Sequence, residues 1–70
     1  MKRTSVSSSN LKSVGYDPQQ SLLEIEFHSG DVYQYHNVPE RIYQRLMNAA
    51  SHGSYHHQHI RDQYRYTQIR

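Results

Sequence analysis

The stretch Leu22 to His36, Leu-Leu-Glu-Ile-Glu-Phe-His-Ser-Gly-Asp-Val-Tyr-Gln-Tyr-His, constrains the fold of this chain more than any other. Leu23, Ile25 and Phe27 alternate with Glu24 and Glu26, the period-two pattern of a strand with one buried and one wet face. His28-Ser29-Gly30 then breaks the pattern, and the type of turn decides where the following tyrosines go. A two-residue Ser29-Gly30 loop would pair Phe27 with Val32 and turn Gln34 and His36 inward. A three-residue loop with Gly30 in a left-handed bulge pairs Ile25 with Tyr33 and Leu23 with Tyr35. The second register gives one face of Leu23, Ile25, Phe27, Tyr33 and Tyr35 and another of Glu24, Glu26, Val32, Gln34 and His36, so the binary pattern selects it.

The rest of the chain is expected to pack on that hairpin. At 70 residues with 34% hydrophobic content, seven tyrosines and one phenylalanine, one small core is all the chain supports, and tyrosine rings must carry much of it. Leu11 to Tyr16 reads as a preceding strand, in which Gly15 signals a bulge or a close backbone approach. Asp17-Pro18 opens the turn that follows. Asn37-Val38-Pro39-Glu40 reads as a helix start with Pro39 as the first helical residue. Ile42, Tyr43, Leu46, Met47, Ala49 and Ala50 then share one arc of a helix of about thirteen residues, ended by Gly53. The expected core is Leu23, Ile25, Phe27, Tyr33, Tyr35, Ile42, Tyr43 and Leu46. After Gly53 the chain is too polar for a core of its own. Ser54 is placed to cap one short helical turn, and Tyr55, Ile60 and Tyr64 are placed to dock back. The expected architecture is α+β: a three-stranded antiparallel β-meander covered by one amphipathic helix, with a C-terminal segment of little regular structure. Residues 1–70 form a single domain with flexible ends at 1–5 and 67–70.

Composition narrows the function classes. With no cysteine there is neither a disulfide framework nor a thiolate site, which fits a cytoplasmic protein. No apolar run approaches the ~20 residues of a membrane span, and Met1-Lys2-Arg3-Thr4 lacks the apolar centre of a signal peptide, so no membrane partner is expected. Nothing resembles a nucleophile elbow, a phosphate loop or a metalloprotease helix, so the reading is not an enzyme and calls for no cofactor. His56 and His59 would share a face of a helical turn and are the weak candidates for a metal, but cysteine is absent and no second pair stands at a recognised ligand spacing.

Val6, Ser8, Ser9, Leu11, Val14-Gly15-Tyr16-Asp17, Leu23, Ile25, Phe27, Gly30, Tyr33-Gln34-Tyr35, Val38-Pro39, Tyr43, Leu46, Gly53, Tyr55 and Ile60-Arg61 follow one another in a characteristic order. In that order the chain resembles the KTSC domain family, which occurs at the C-terminus of some lysyl-tRNA synthetases and as stand-alone bacterial proteins. The resemblance implies a small binding module for which RNA binding is suggested by association with a synthetase.

Charge supports the same direction. Residues 1–12 carry +3, residues 13–40 carry −5 and residues 41–70 carry +4, so an acidic hairpin is flanked by basic segments. Arg41, Arg45, Arg61, Tyr64 and Arg65 are the expected RNA-contacting residues, arginines neutralising phosphate and tyrosine offering a stacking face. The alternative is a protein-interaction or self-association module, with a protein partner or a second copy adding a strand to an exposed sheet edge.

Overall fold

Gly30 turns at φ +97°, and around it the Gly30 N–H donates to the Phe27 carbonyl while the Phe27 N–H donates to the Asp31 carbonyl, each at 2.9 Å. That left-handed corner fixes the hairpin register. In the computed structural model, which describes residues 1–70, Leu23 pairs with Tyr35 and Ile25 with Tyr33, the register that binary patterning selects.

The sheet has five strands rather than the expected three: β1 (Thr4–Ser5), β2 (Leu11–Asp17), β3 (Leu22–Phe27), β4 (Val32–Tyr35) and β5 (Tyr66–Gln68), antiparallel and ordered as they occur in the chain. The meander is therefore correct in kind and extended by one short strand at each edge. Both ends of the chain are hydrogen-bonded to the sheet. Thr4 pairs with Val14 and Ser5 with Ser13; at the other edge Tyr35 pairs with Tyr66, and Val32 brackets Ile69 and Arg70 through its N–H and carbonyl.

Gly15 belongs to the first of these edges. A Cβ there would stand 2.8 Å from the Lys2 carbonyl oxygen, so the glycine lets the N-terminal arm lie against β2. The irregularity in β2 falls instead between Leu11 and Ser13.

Two helices, not one, cover the sheet: α1 (Glu40–Asn48) and α2 (His52–His59). Pro39 is the N-cap of α1 rather than its first residue, and the helix stops at nine residues. The expected thirteen-residue helix fails because the backbone turns extended at Ala49, and the Ser51 hydroxyl then accepts from the Ser54 N–H, starting a new helix two residues before Gly53. Ser51, not Ser54, is the cap, and Gly53 lies inside α2 with Asn10 and Ser8 side-chain atoms 3.6 Å from where its Cβ would stand. His52 ties the two helices together: its Nδ1 lies 2.9 Å from the Leu46 carbonyl at the end of α1. The C-terminal segment is thus regular, with α2 followed by a turn and β5.

The core lies between the helices and the inner sheet face. Leu11, Val14, Leu23, Ile25, Tyr35, Val38, Leu46 and Ile60 form one buried cluster. Of the expected core, Leu23, Ile25, Tyr35 and Leu46 are fully within it. Phe27, Tyr33, Ile42 and Tyr43 are only partly buried at its margin, along with Tyr55 and Tyr64. Tyr43 stacks on Tyr16 with ring centroids 5.0 Å apart, and the Tyr16 hydroxyl donates to the Val38 carbonyl.

The outer sheet face is not simply wet. Arg3 reaches Glu24 at 2.8 Å and Glu26 at 3.7 Å, Arg70 reaches Glu26 at 2.8 Å, and Gln34 donates to Glu24. The Ser13 hydroxyl also donates to Glu26 and, more than the neighbouring Lys12, Arg3 and Arg70, holds that carboxyl below its ordinary range. Val32, expected on this exposed face, is buried, because the strand end carrying Arg70 is bonded to it and closes across to Glu26.

Candidate functional site

The two helices are too short to cover the whole inner face. At the hairpin end they leave an open pocket of about 330 Å³ whose floor is Phe27, Tyr33 and Tyr35 and whose wall is Gly53, His56, His57 and Arg61, with Asn10, Ser29 and Asp31 at the rim. The volume sits at the small end of the range for organic-ligand pockets.

The floor is built by strand pairing. Alternation puts Phe27, Tyr33 and Tyr35 on one side, and the pairing of β5 with β4 brings Tyr66 beside them. Tyr33 and Tyr66 stack with centroids 5.0 Å apart and planes 4° from parallel, and Phe27 meets Tyr33 edge-on at 5.4 Å. Tyr66 is 52% exposed, so this aromatic row runs out from the core into solvent. The expectation that the helix covers both Tyr33 and Tyr35 holds for Tyr35 alone. Tyr33 remains half-open as the pocket floor.

The wall is fixed by one buried polar pair. His56 Nε2 lies 2.8 Å from the Tyr35 hydroxyl, and its ring meets those of Phe27 and Tyr35 edge-on. Burial, reinforced by the positive charge of Arg61 and by His57, holds the His56 imidazole down to about 4, so the ring is neutral at neutral pH. Burial likewise raises the Tyr35 phenol, with Tyr33 and Tyr66 adding to the effect, and keeps it protonated. His56 is therefore a structural hydrogen-bond partner. His59, its expected companion, is exposed and lies against Tyr55 with centroids 4.5 Å apart, so the structure does not bring His56 and His59 together as ligands.

Arg61 is the cation of the pocket. The turn after α2 sends its N–H back to the His56 carbonyl at 2.9 Å, and its Nη1 donates to His57 Nδ1 at 3.3 Å. Neither contact neutralises the guanidinium. The other sequence-derived candidates are dispersed. Arg65 lines a separate depression with Gln20, His36, Asn37 and Thr67, Arg41 and Arg45 are exposed on α1 and line neither, and Tyr64 is half-buried against the core. Tyr33, Asp31, Asn10 and His57 were not among them. Alternation places Tyr33 on the inner face, but only the helix lengths reveal that this end stays open.

A profile described as KTSC domain matches residues 7–64. The chain belongs to the KTSC domain family. A KTSC domain protein from Yersinia pestis has the same fold in its crystal structure, with a TM-score of 0.96 and 40% identity over 99% of this chain and 97% of that one. An uncharacterized protein from Stutzerimonas stutzeri is 47% identical over 70 residues, 99% of each chain. A lysine–tRNA ligase from a Nostoc species is 39% identical over 59 residues, which is 84% of this chain and 10% of the ligase. This KTSC chain thus matches a tenth of that enzyme's length. No helix in it is long and apolar enough to cross a membrane.

Proposed function

We propose that this KTSC domain is a non-enzymatic, cytoplasmic RNA-binding module that holds a single strand across the open end of its inner sheet face. The observation that carries the reading is the half-open aromatic row Phe27–Tyr33–Tyr66 lying beside the unneutralised Arg61. Exposed rings accept splayed-out bases, and a neighbouring guanidinium accepts the linking phosphate.

The charge map supports this placement. Arg3 and Arg70 are both engaged with the carboxylates of Glu24 and Glu26 on the outer face. Arg41, Arg45, Arg61 and Arg65, like Lys2 and Lys12, form no salt bridge and are available to phosphate. The occurrence of a similar segment within lysine–tRNA ligases is consistent with a role beside RNA.

Short labelled RNAs titrated at several salt concentrations test the reading. Single strands should bind more tightly than duplexes, and log affinity should fall linearly with log salt, by roughly 0.7 for each phosphate neutralised on a single strand. Arg61→Ala should flatten that slope, and Tyr33→Ala should weaken binding by about 1–3 kcal/mol, the usual worth of one stacked base. Binding that ignores salt, or that is unchanged in both variants, overturns it.

A second reading rests on the exposed β5 edge, flanked by Tyr66 and Ile69, as the place where a protein partner or a second copy adds a strand. The edges are three and two residues long, which blunts such pairing. Sedimentation across a range of concentration tests self-association directly, a concentration-independent monomer ending that form of it.

A further inference from the structure

The rim of the pocket carries information beyond its charge. Asp31, Asn10 and Tyr33 all line it, and their side-chain polar groups have no hydrogen-bond partner inside the protein. Asp31 is also held in place. Its carbonyl accepts from the Phe27 N–H, its own N–H reaches the Ser29 hydroxyl, and the Gly30 turn at φ +97° sets the corner it stands on. An aspartate on a fixed hairpin corner, its carboxylate unpaired, lining one pocket with an aromatic floor and Arg61, is a feature that the fold itself does not use.

An ionised carboxylate is an acceptor only, with two oxygens side by side. A base resting on Tyr33 turns its Watson–Crick edge toward the rim, and the four bases differ there in pattern. Guanine alone presents two adjacent donors, N1–H and N2–H. Adenine, cytosine and uracil place an acceptor next to their donor, so one carboxylate oxygen would face another lone pair. We infer, building on the RNA-binding reading, that the pocket seats one unstacked guanine. Tyr33, on the ring face that Tyr66 leaves free, is the stacking floor, Asp31 reads the N1–H and N2–H pair, and Arg61 anchors the adjoining phosphate.

The test uses the full chain and short oligouridine strands carrying one central guanosine, inosine or adenosine, with free guanosine and adenosine monophosphates as a second arm. The guanosine strand should bind roughly tenfold or more tighter than the adenosine strand, the usual scale of one bidentate base contact, with inosine, which lacks the N2 donor, between them. Asp31→Asn should abolish the guanosine preference while leaving adenosine binding as tight or slightly tighter. Because the Asp31 side chain makes no internal hydrogen bond, this variant should fold as the parent does. Tyr33→Ala should weaken every strand alike. Strands that bind with salt dependence but without preference, or whose preference survives Asp31→Asn, overturn the guanine assignment and leave the RNA reading standing. Strands that fail to bind while guanosine monophosphate binds over adenosine monophosphate through Asp31 overturn the RNA reading and assign the pocket to a free guanine nucleotide.

Discussion

Leu46→Ala is expected to leave the domain largely unfolded at physiological temperature. Leu46 is the one fully buried side chain of α1, the residue through which that helix reaches the Leu23–Ile25–Tyr35 floor. Deleting a buried leucine side chain costs about 2–5 kcal/mol when the site cannot collapse around the gap. A core of this size supplies only about 3–5 kcal/mol in all. With no disulfide to hold the folded state, the loss is comparable to the whole margin. Leu46→Met conserves volume and should cost less than about 1.5 kcal/mol. Urea unfolding followed by far-ultraviolet circular dichroism measures both. A parental midpoint for Leu46→Ala would contradict the placement of α1 in the core.

Acidification from pH 6.5 to 4.5 is expected to destabilise the domain by about 1–2 kcal/mol through His56, after allowance for partial solvent screening. The folded protein holds that imidazole down to about 4, whereas the unfolded chain protonates it near its ordinary 6.5. In that window the unfolded state binds more protons. Stability is therefore complete above about pH 6.5 and is lost as pH falls toward 4. Protonation would place a second cation against Arg61 and remove the acceptor lone pair available to the Tyr35 hydroxyl. Glu26, whose carboxyl is held below its ordinary 4.5, adds its loss only at lower pH, so the two contributions separate along the pH axis. Urea midpoints measured stepwise in pH should show the decline, and His56→Phe, which cannot titrate, should remove its slope while lowering stability at neutral pH. A wild-type midpoint flat from pH 6.5 to 4.5 would mean that His56 is not buried against Tyr35.

The hairpin was legible in the sequence because two independent signals agree on it. Alternation in Leu23–Phe27 sets the faces, and Gly30 supplies the left-handed corner that puts Tyr33 and Tyr35 on the apolar one. The edge strands were not legible. Thr4–Ser5 and Tyr66–Gln68 are too short and polar to announce themselves, and exist because β2 and β4 offer them unpaired backbone. The helix break was misplaced because Ala49 and Ala50 continue the apolar arc of α1 while a single serine hydroxyl, Ser51, starts α2.

The site was half legible for a related reason. Arg61 stands out as a cation in a basic segment, but whether Tyr33 is covered depends on where α1 and α2 stop, a tertiary fact that periodicity does not encode. His56 reads as one of several exposed histidines until the fold buries it against Tyr35. The acidic hairpin face reads as a repulsive surface until Arg3 and Arg70, one from each end of the chain, are seen closing on it.

Backbone amide shift mapping by NMR during titration with a short guanosine-containing single-stranded RNA is the most direct test of where this domain binds. The largest shifts should fall on Asn10, Ser29, Asp31, Tyr33, Gly53, His57 and Arg61, around the open end of the inner face. Shifts confined instead to the β1 or β5 edge, or to the outer face around Glu24 and Glu26, would contradict that assignment.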